Sequence, residues 1–361
     1  MSSEIEARPR LYGPSFEVPG PSRSFPGFRM ASFAAPILDC ERTIEKAHWK
    51  RVRTFCKITD TKYASGGDEG DIKFWNIETG EQDAMVLKHG QDGPHKNHDH
   101  GKGGVMCLTA IDEDNLLSGG VLNVIKHWDL KTGEIKCEYE GHDSWVMCIT
   151  LFPDRKRFLA GSCDRTIRLW EVGKEECQRY MIKHTQGIYG IEIIDDNTFL
   201  SASADWSLKL WNYEEGTVIR TYGNESWEPE ESEDGHKIWV WYVLVLDKER
   251  FASAGHDGMC KIWGTWTGEC LHTLQIDDHV AMKWNQRPPY RCLVKPAEGK
   301  LLSACEDKTI KMWNYETGEL EQTYAGHDKA VWCLLQMGEK IVSGSADSSI
   351  KVWGPSMAEL E

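Results

Sequence analysis

Hydrophobic positions in this chain alternate over short runs that stop at turn residues. In VWCLLQ, KIVSGSA and SIKVWG near the C-terminus, β-branched and aromatic residues recur between Gly, Ser and Asp, the pattern of half-buried strands. The 3.6-residue period of a helix is absent. The same pattern recurs upstream: SGGDEGDIKFWN, SGGVLNVIKHWD, AGSCDRTIRLWE, SASADWSLKLWN, SAGHDGMCKIWG, SACEDKTIKMWN and SGSADSSIKVWG align on Trp75, Trp128, Trp170, Trp211, Trp263, Trp313 and Trp353. Consecutive anchors lie 53, 42, 41, 52, 50 and 40 residues apart. A period of about 40 to 45 residues is that of one four-stranded propeller blade, so the longer separations carry insertions. After the tryptophan strand, Gly80, Gly133, Gly268 and Gly318 fall where a hairpin needs positive φ, and a fourth strand follows, as in GELEQTYAGH.

Seven co-registered copies resemble the WD-repeat (WD40) family from about residue 40 to residue 355. The resemblance implies an all-β, seven-bladed β-propeller. It also implies a buried tetrad in each blade, matched in full by His184, Ser201, Asp205 and Trp211, by His236, Ser253, Asp257 and Trp263, and by His327, Ser343, Asp347 and Trp353. Blade three keeps His142, Asp164 and Trp170 but has Ala160 in the serine place. Blade one offers Glu69 for the aspartate, blade two has Leu122 there with His100 one residue out of register, and an insertion displaces His279 of blade six. The last repeat ends in GPSMAELE, too short for a fourth strand, whereas CERTIEKAH before the first repeat is similar to the fourth strands elsewhere. Residues 40–46 are therefore expected to complete blade seven, which removes the free sheet edges that recruit other chains. Residues 1–39, with six prolines and no alternation, are expected to form an extended or disordered arm, and residues 356–361 a tail.

Charge narrows the partners. With 42 Lys and Arg against 57 Asp and Glu, the formal charge of −15 repels nucleic acid and anionic membranes within a Debye length of ~8 Å. No run approaches the ~18 apolar residues of a membrane span and no secretory signal opens the chain, so a cytoplasmic protein is expected. The twelve cysteines contain no CxxC pair. Cys107, Cys148, Cys292 and Cys333 follow Val105, Val146, Tyr290 and Val331 by two residues each and read as small apolar strand residues, so neither a metal nor a cofactor is expected.

Several constellations carry candidate chemistry. Ser, His and Asp recur together, but a hydrolase needs its trio once, whereas a hydrogen-bonded core network is needed in every blade; no enzyme is expected. His89, His95, His98 and His100 lie in a glycine-rich segment that reads as a solvated loop before it reads as a zinc or nickel site. Glu225, Glu228, Glu230, Glu231, Glu233 and Asp234 form an acid run that attracts basic ligands or is merely solvated. Both lie in insertions, near residues 85–104 and 223–235, and a third spans 275–289; the family resemblance puts all three junctions on the narrow top face.

The same resemblance assigns top-face contacts to residues flanking the first-strand valine and to the residue before the tetrad aspartate. Here these are Arg51, Arg53, Asp68, Trp145, Met147, Tyr189, Trp239, Trp241, His256, Arg291, Glu306 and Trp332. Large aromatics and arginine are the residue types that carry interface energy, so the expected function is a scaffold or adaptor that binds a partner protein or peptide there. The sequence leaves open whether that ligand is basic, or acidic or phosphorylated and held by Arg51, Arg53 and Arg291. Trp239 and Trp241 cannot both face the channel on a regular strand. One alternative is a substrate receptor of a ubiquitin ligase, because Trp128-Asp129-Leu130-Lys131 is similar to the end of an adaptor-docking motif with Lys for the usual Arg. Another is an enzyme or small-molecule binder using the channel mouth, with His256 and Glu306 facing it.

Overall fold

The computed structural model describes residues 38–90, 103–223, 234–275 and 287–355. Among them, 28 strands form seven four-stranded antiparallel sheets. Blades one to six each take four consecutive strands, the first beginning with β2 (Val52–Lys57) and the sixth ending with β25 (Leu320–Ala325). Blade seven joins β26 (Val331–Met337), β27 (Lys340–Ser345) and β28 (Ile350–Pro355) to β1 (Leu38–Ile44). Leu38 lies opposite Pro355 and Ile44 opposite Ile350, so the closing strand starts two residues before the expected 40–46 and ends two before it. The N-terminal arm and the C-terminal tail expected from the sequence lie outside the described residues up to Leu38 and beyond Pro355. Hairpin glycines Gly80, Gly133, Gly268 and Gly318 have φ of 74°, 78°, 84° and 80° as predicted.

The first strand of each blade packs beside that of the next, and β26 packs against β2, so the sheets close into a ring. The core is correspondingly divided into seven apolar clusters, one at each blade–blade interface. Closeness at these interfaces is set by small residues on the second strands. A Cβ on Gly66, Gly119 or Gly344 would lie 2.6–2.7 Å from a methyl of Val105, Val146 or Val52 of the neighbouring blade. Blades four to six have the buried alanines Ala202, Ala254 and Ala304 at the equivalent place. A branched side chain there would force adjacent sheets apart, which a close-packed interior resists.

Within blades, a proton-donor chain links the third strand to the turn. In blade four Trp211 Nε1 donates to Ser201 Oγ at 2.8 Å, Ser201 Oγ lies 2.7 Å from His184 Nε2, and His184 Nδ1 lies 2.7 Å from Asp205 Oδ2. Blades five and seven repeat it through His236, Ser253, Asp257 and Trp263 and through His327, Ser343, Asp347 and Trp353. Burial works to raise the Asp205 carboxyl, but bonds from His184 and Ser207 hold it down at about 2. Blade one uses Glu69 as the acid, bonded to His48, whose Nε2 lies 2.7 Å from Ser65 Oγ.

Blade two departs from expectation. Its histidine is His89 and not His100: His89 is fully buried, with Nδ1 2.8 Å from Ser118 Oγ, to which Trp128 Nε1 also donates at 2.7 Å. Among the described residues no acid completes this network, and burial depresses the His89 imidazole to about 3. In blade three, with Ala160 in place of serine, His142 Nε2 and Trp170 Nε1 are both buried without a partner among the described residues. In blade six Trp313 Nε1 donates to Ser303 at 2.9 Å, and Asp307 takes Lys311 and Thr309 as partners; His279 lies outside the described residues.

Candidate binding face at the channel mouth

Each of the seven first strands carries a register shift at the same place. It brackets Arg53, Met106, Met147, Tyr189, Trp241, Arg291 and Trp332 in turn. A bulge leaves one residue unpaired and re-aims its side chain, and here the device is repeated around the channel. It also resolves the conflict over Trp239 and Trp241. Because Trp241 is the bulged residue, both indoles reach the mouth, with ring centroids 5.7 Å apart and planes at 88°. Met106 occupies the equivalent place in blade two and was missing from the sequence-derived set, although the spacing after Val105 marks it.

The bulged side chains stack into one continuous arc across blades four to one. Tyr189 lies 4.4 Å from Trp241, nearly parallel. Arg291 sits between two indoles, its guanidinium carbon 3.9 Å from the Trp241 centroid and 4.2 Å from that of Trp332. Arg53 covers Trp332 at 4.2 Å and Arg51 approaches it at 5.3 Å. Acids from the turn after the second strand fix the cations: Glu306 accepts from Arg291 Nε at 2.6 Å, and Asp68 accepts from Arg51 Nε at 2.7 Å and from Arg53. Burial lowers the Arg291 and Arg53 guanidiniums, with Glu306 and Asp68 acting against it. Such desolvated cation–π contacts are worth up to about 2 kcal/mol each, so the arc is stiff before any ligand arrives. Among the described residues Arg291 Nη1 and Trp332 Nε1 are buried donors without a partner.

His256 and Glu306, candidates for channel-mouth chemistry, are engaged within this arc. His256 Nδ1 accepts from Trp241 Nε1 at 3.1 Å, and burial lowers its imidazole. Trp239, 39% exposed, packs 5.3 Å from His256. Behind the arc, the channel encloses a cavity of about 430 Å³ lined by Met147, Tyr189, Trp241, Arg291 and Trp332 near its mouth, with Glu192 among its inner residues. Burial raises the Glu192 carboxyl to about 7. A second cavity of about 430 Å³ lies between blades seven, one, two and three, lined by Trp49, Lys50, Arg51, Arg53, Asp68, Trp145 and Lys329. It takes in Trp145. Trp49, Lys50 and Lys329 were outside the sequence-derived set because they lie in turns whose meeting only ring closure between blades seven and one brings about.

The other sequence candidates fall differently. His89 belongs to the blade-two core, while His95, His98, His100 and the run Glu225–Glu233 lie outside the described residues. Among the described residues no cluster of three metal-ligating side chains is present, and all twelve cysteines are unpaired thiols. Asp129 accepts from the amides of Lys131 and Thr132 at 2.8 and 3.2 Å, the turn contact that Asn76 makes in blade one. Lys131 bonds Asp114, and Leu130 is buried, so this segment has a structural role on the face opposite the arc.

Comparisons with known proteins agree with the architecture. The family model for the WD domain, G-beta repeat, matches residues 133–171, 175–212, 227–264, 268–314 and 318–354, and the chain belongs to the WD40-repeat family. Four of the five matches start just before the outer strand of one blade and end with the third strand of the next, so sequence repeat and blade are offset by one strand; the match at 227–264 begins after that outer strand. Among relatives, an uncharacterized WD repeat-containing protein of Schizosaccharomyces pombe is 28% identical, covering 66% of this chain and 62% of that one. The nuclear distribution protein PAC1 of Arthroderma otae is 26% identical over 66% of this chain and 56% of its own. The chain thus spans about three-fifths of the length of these relatives. The crystal structure of the WD40 propeller domain of Doa1 superposes with a TM-score of 0.71 at 22% identity, covering 90% of this chain and 98% of that one, which shows a shared fold.

Proposed function

We propose that this chain is a protein-interaction scaffold whose channel-mouth face holds a peptide segment of a partner protein. The reading rests on one observation: a bulge repeated in every blade spends five of its seven places on Arg53, Tyr189, Trp241, Arg291 and Trp332, locked into one stack. Blade closure does not need large aromatics there, as Met106 and Met147 show at the same position. A prearranged aromatic and guanidinium surface lowers the ordering cost of binding and supplies the residue types that dominate interfaces. Trp239, exposed at the rim, and Trp332, between Arg291 and Arg53 in the arc, would be apolar anchors.

The test is a pull-down from native lysate, paired with a peptide array, comparing wild type with Trp239→Ala plus Trp332→Ala. Loss of specific partners by the folded variant is expected. Unchanged binding of every partner discards this surface.

A further inference from the structure

We infer that the cavity between blades seven, one, two and three is a subsite for the phosphoryl group of a phosphorylated serine or threonine in the bound peptide. This rests on the channel-mouth reading and adds the chemistry of one residue of the ligand. The cavity is lined by four cationic side chains, Lys50, Arg51, Arg53 and Lys329, and one carboxylate, Asp68. Asp68 takes the Nε–H of both arginines, which orients their terminal amino groups without using them. Among the described residues neither lysine is in an ion pair. The local balance is a cationic excess on a chain of formal charge −15.

That contrast selects the ligand. A phosphoryl group carries about −1.5 to −2 charge and three acceptor oxygens, which suits several converging cations better than one carboxylate does. A long polyanion such as nucleic acid, or an anionic bilayer, would meet the field of a chain of formal charge −15, whereas a single phosphorylated side chain mainly meets the cavity. Trp49, 69% exposed, and Trp145 flank the cations and would cover the residues on either side of the phosphoryl group. Arg53 lines both this cavity and the channel, so the two sites are continuous.

The experiment uses the full chain and degenerate peptide pools with a fixed central phosphoserine, serine or glutamate, read by fluorescence anisotropy. The phosphoserine pool is expected to bind about 10-fold or more tightly than the serine pool, with glutamate between them. Lys50→Ala plus Lys329→Ala should remove that preference without lowering the melting temperature, and Arg51→Ala should weaken it. Trp239→Ala, which lies outside the cavity, should weaken all three pools alike. Equal binding of the three pools by wild type overturns the inference; if that binding still falls in Trp239→Ala, the broader peptide-binding reading survives. A preference retained in the double lysine variant overturns it too. So does tighter, lysine-dependent binding of phosphoinositide vesicles or a single-stranded 20-mer oligonucleotide.

Discussion

Blades three and four are nearly the same object, differing at one oxygen. Both bury a tryptophan and a histidine at the same register, and both hold an aspartate against the turn amides. In blade four Ser201 links indole to imidazole, whereas in blade three, with Ala160, His142 Nε2 and Trp170 Nε1 have no partner among the described residues. Blade three tolerates this because its polar residues still have a rigid turn: Asp164 accepts from His142 at 2.7 Å and from Thr166 Oγ1 at 2.6 Å. The acid anchors the turn and the serine satisfies the core; one can be lost while the other holds. Blade two is the converse, with Ser118 kept and no acid on its histidine among the described residues.

The comparison breaks first at the acid. Asp205→Ala strips His184, Ser207 and the Thr185 amide of their acceptor, and breaking a buried pair of this kind costs about 3–5 kcal/mol; chemical denaturation should show a loss of that order. Blade two sets the next effect. His89 in the fold resists protonation down to about pH 3, while the unfolded imidazole titrates at 6.5. Between those values the unfolded state binds the extra proton, so stability is full above pH 6.5 and falls with acidification, by about 3 kcal/mol at pH 4. The melting temperature of His89→Gln, followed from pH 7 to 4, should lose this component of the slope. Smaller again is Ser201→Ala, which copies blade three into blade four and orphans two buried groups at a cost of about 2 kcal/mol. The reverse exchange, Ala160→Ser, should stabilise blade three by about 1 kcal/mol in the same assay, and a destabilisation would show that its core cannot admit a hydroxyl.

Most of the fold could be read from the chain because the segment ending in the anchor tryptophan recurs seven times in one register, and strand period, turn glycines and ring closure all derive from it. Where the frame was interrupted, reading failed. His89 was passed over for His100 because counting back along the insertion does not reveal which imidazole the chain returns to the core; burial against Ser118 decides it. Glu69 was legible as the acid of blade one because its register was intact. At the channel mouth, sequence equivalence located the bulged residues, yet the bulge itself, and hence the shared orientation of Trp239 and Trp241, is a property of strand pairing. Lys50 and Lys329 share a repeat position, two residues after His48 and His327, but it was not among the positions assigned to the top face, and they meet only across the closure between blades seven and one.

The pairing of β1 with β28 also has a temporal consequence. A ribosome makes Leu38 well before Ile350, so six sheets can assemble in order of synthesis while the seventh waits for β28 to be translated. Until then the waiting strand and the last sheet each present unsatisfied backbone amides and carbonyls to the cell. The nascent protein is most exposed to misassociation just before β28 is made, and this strand, rather than any in blades one to six, closes the ring.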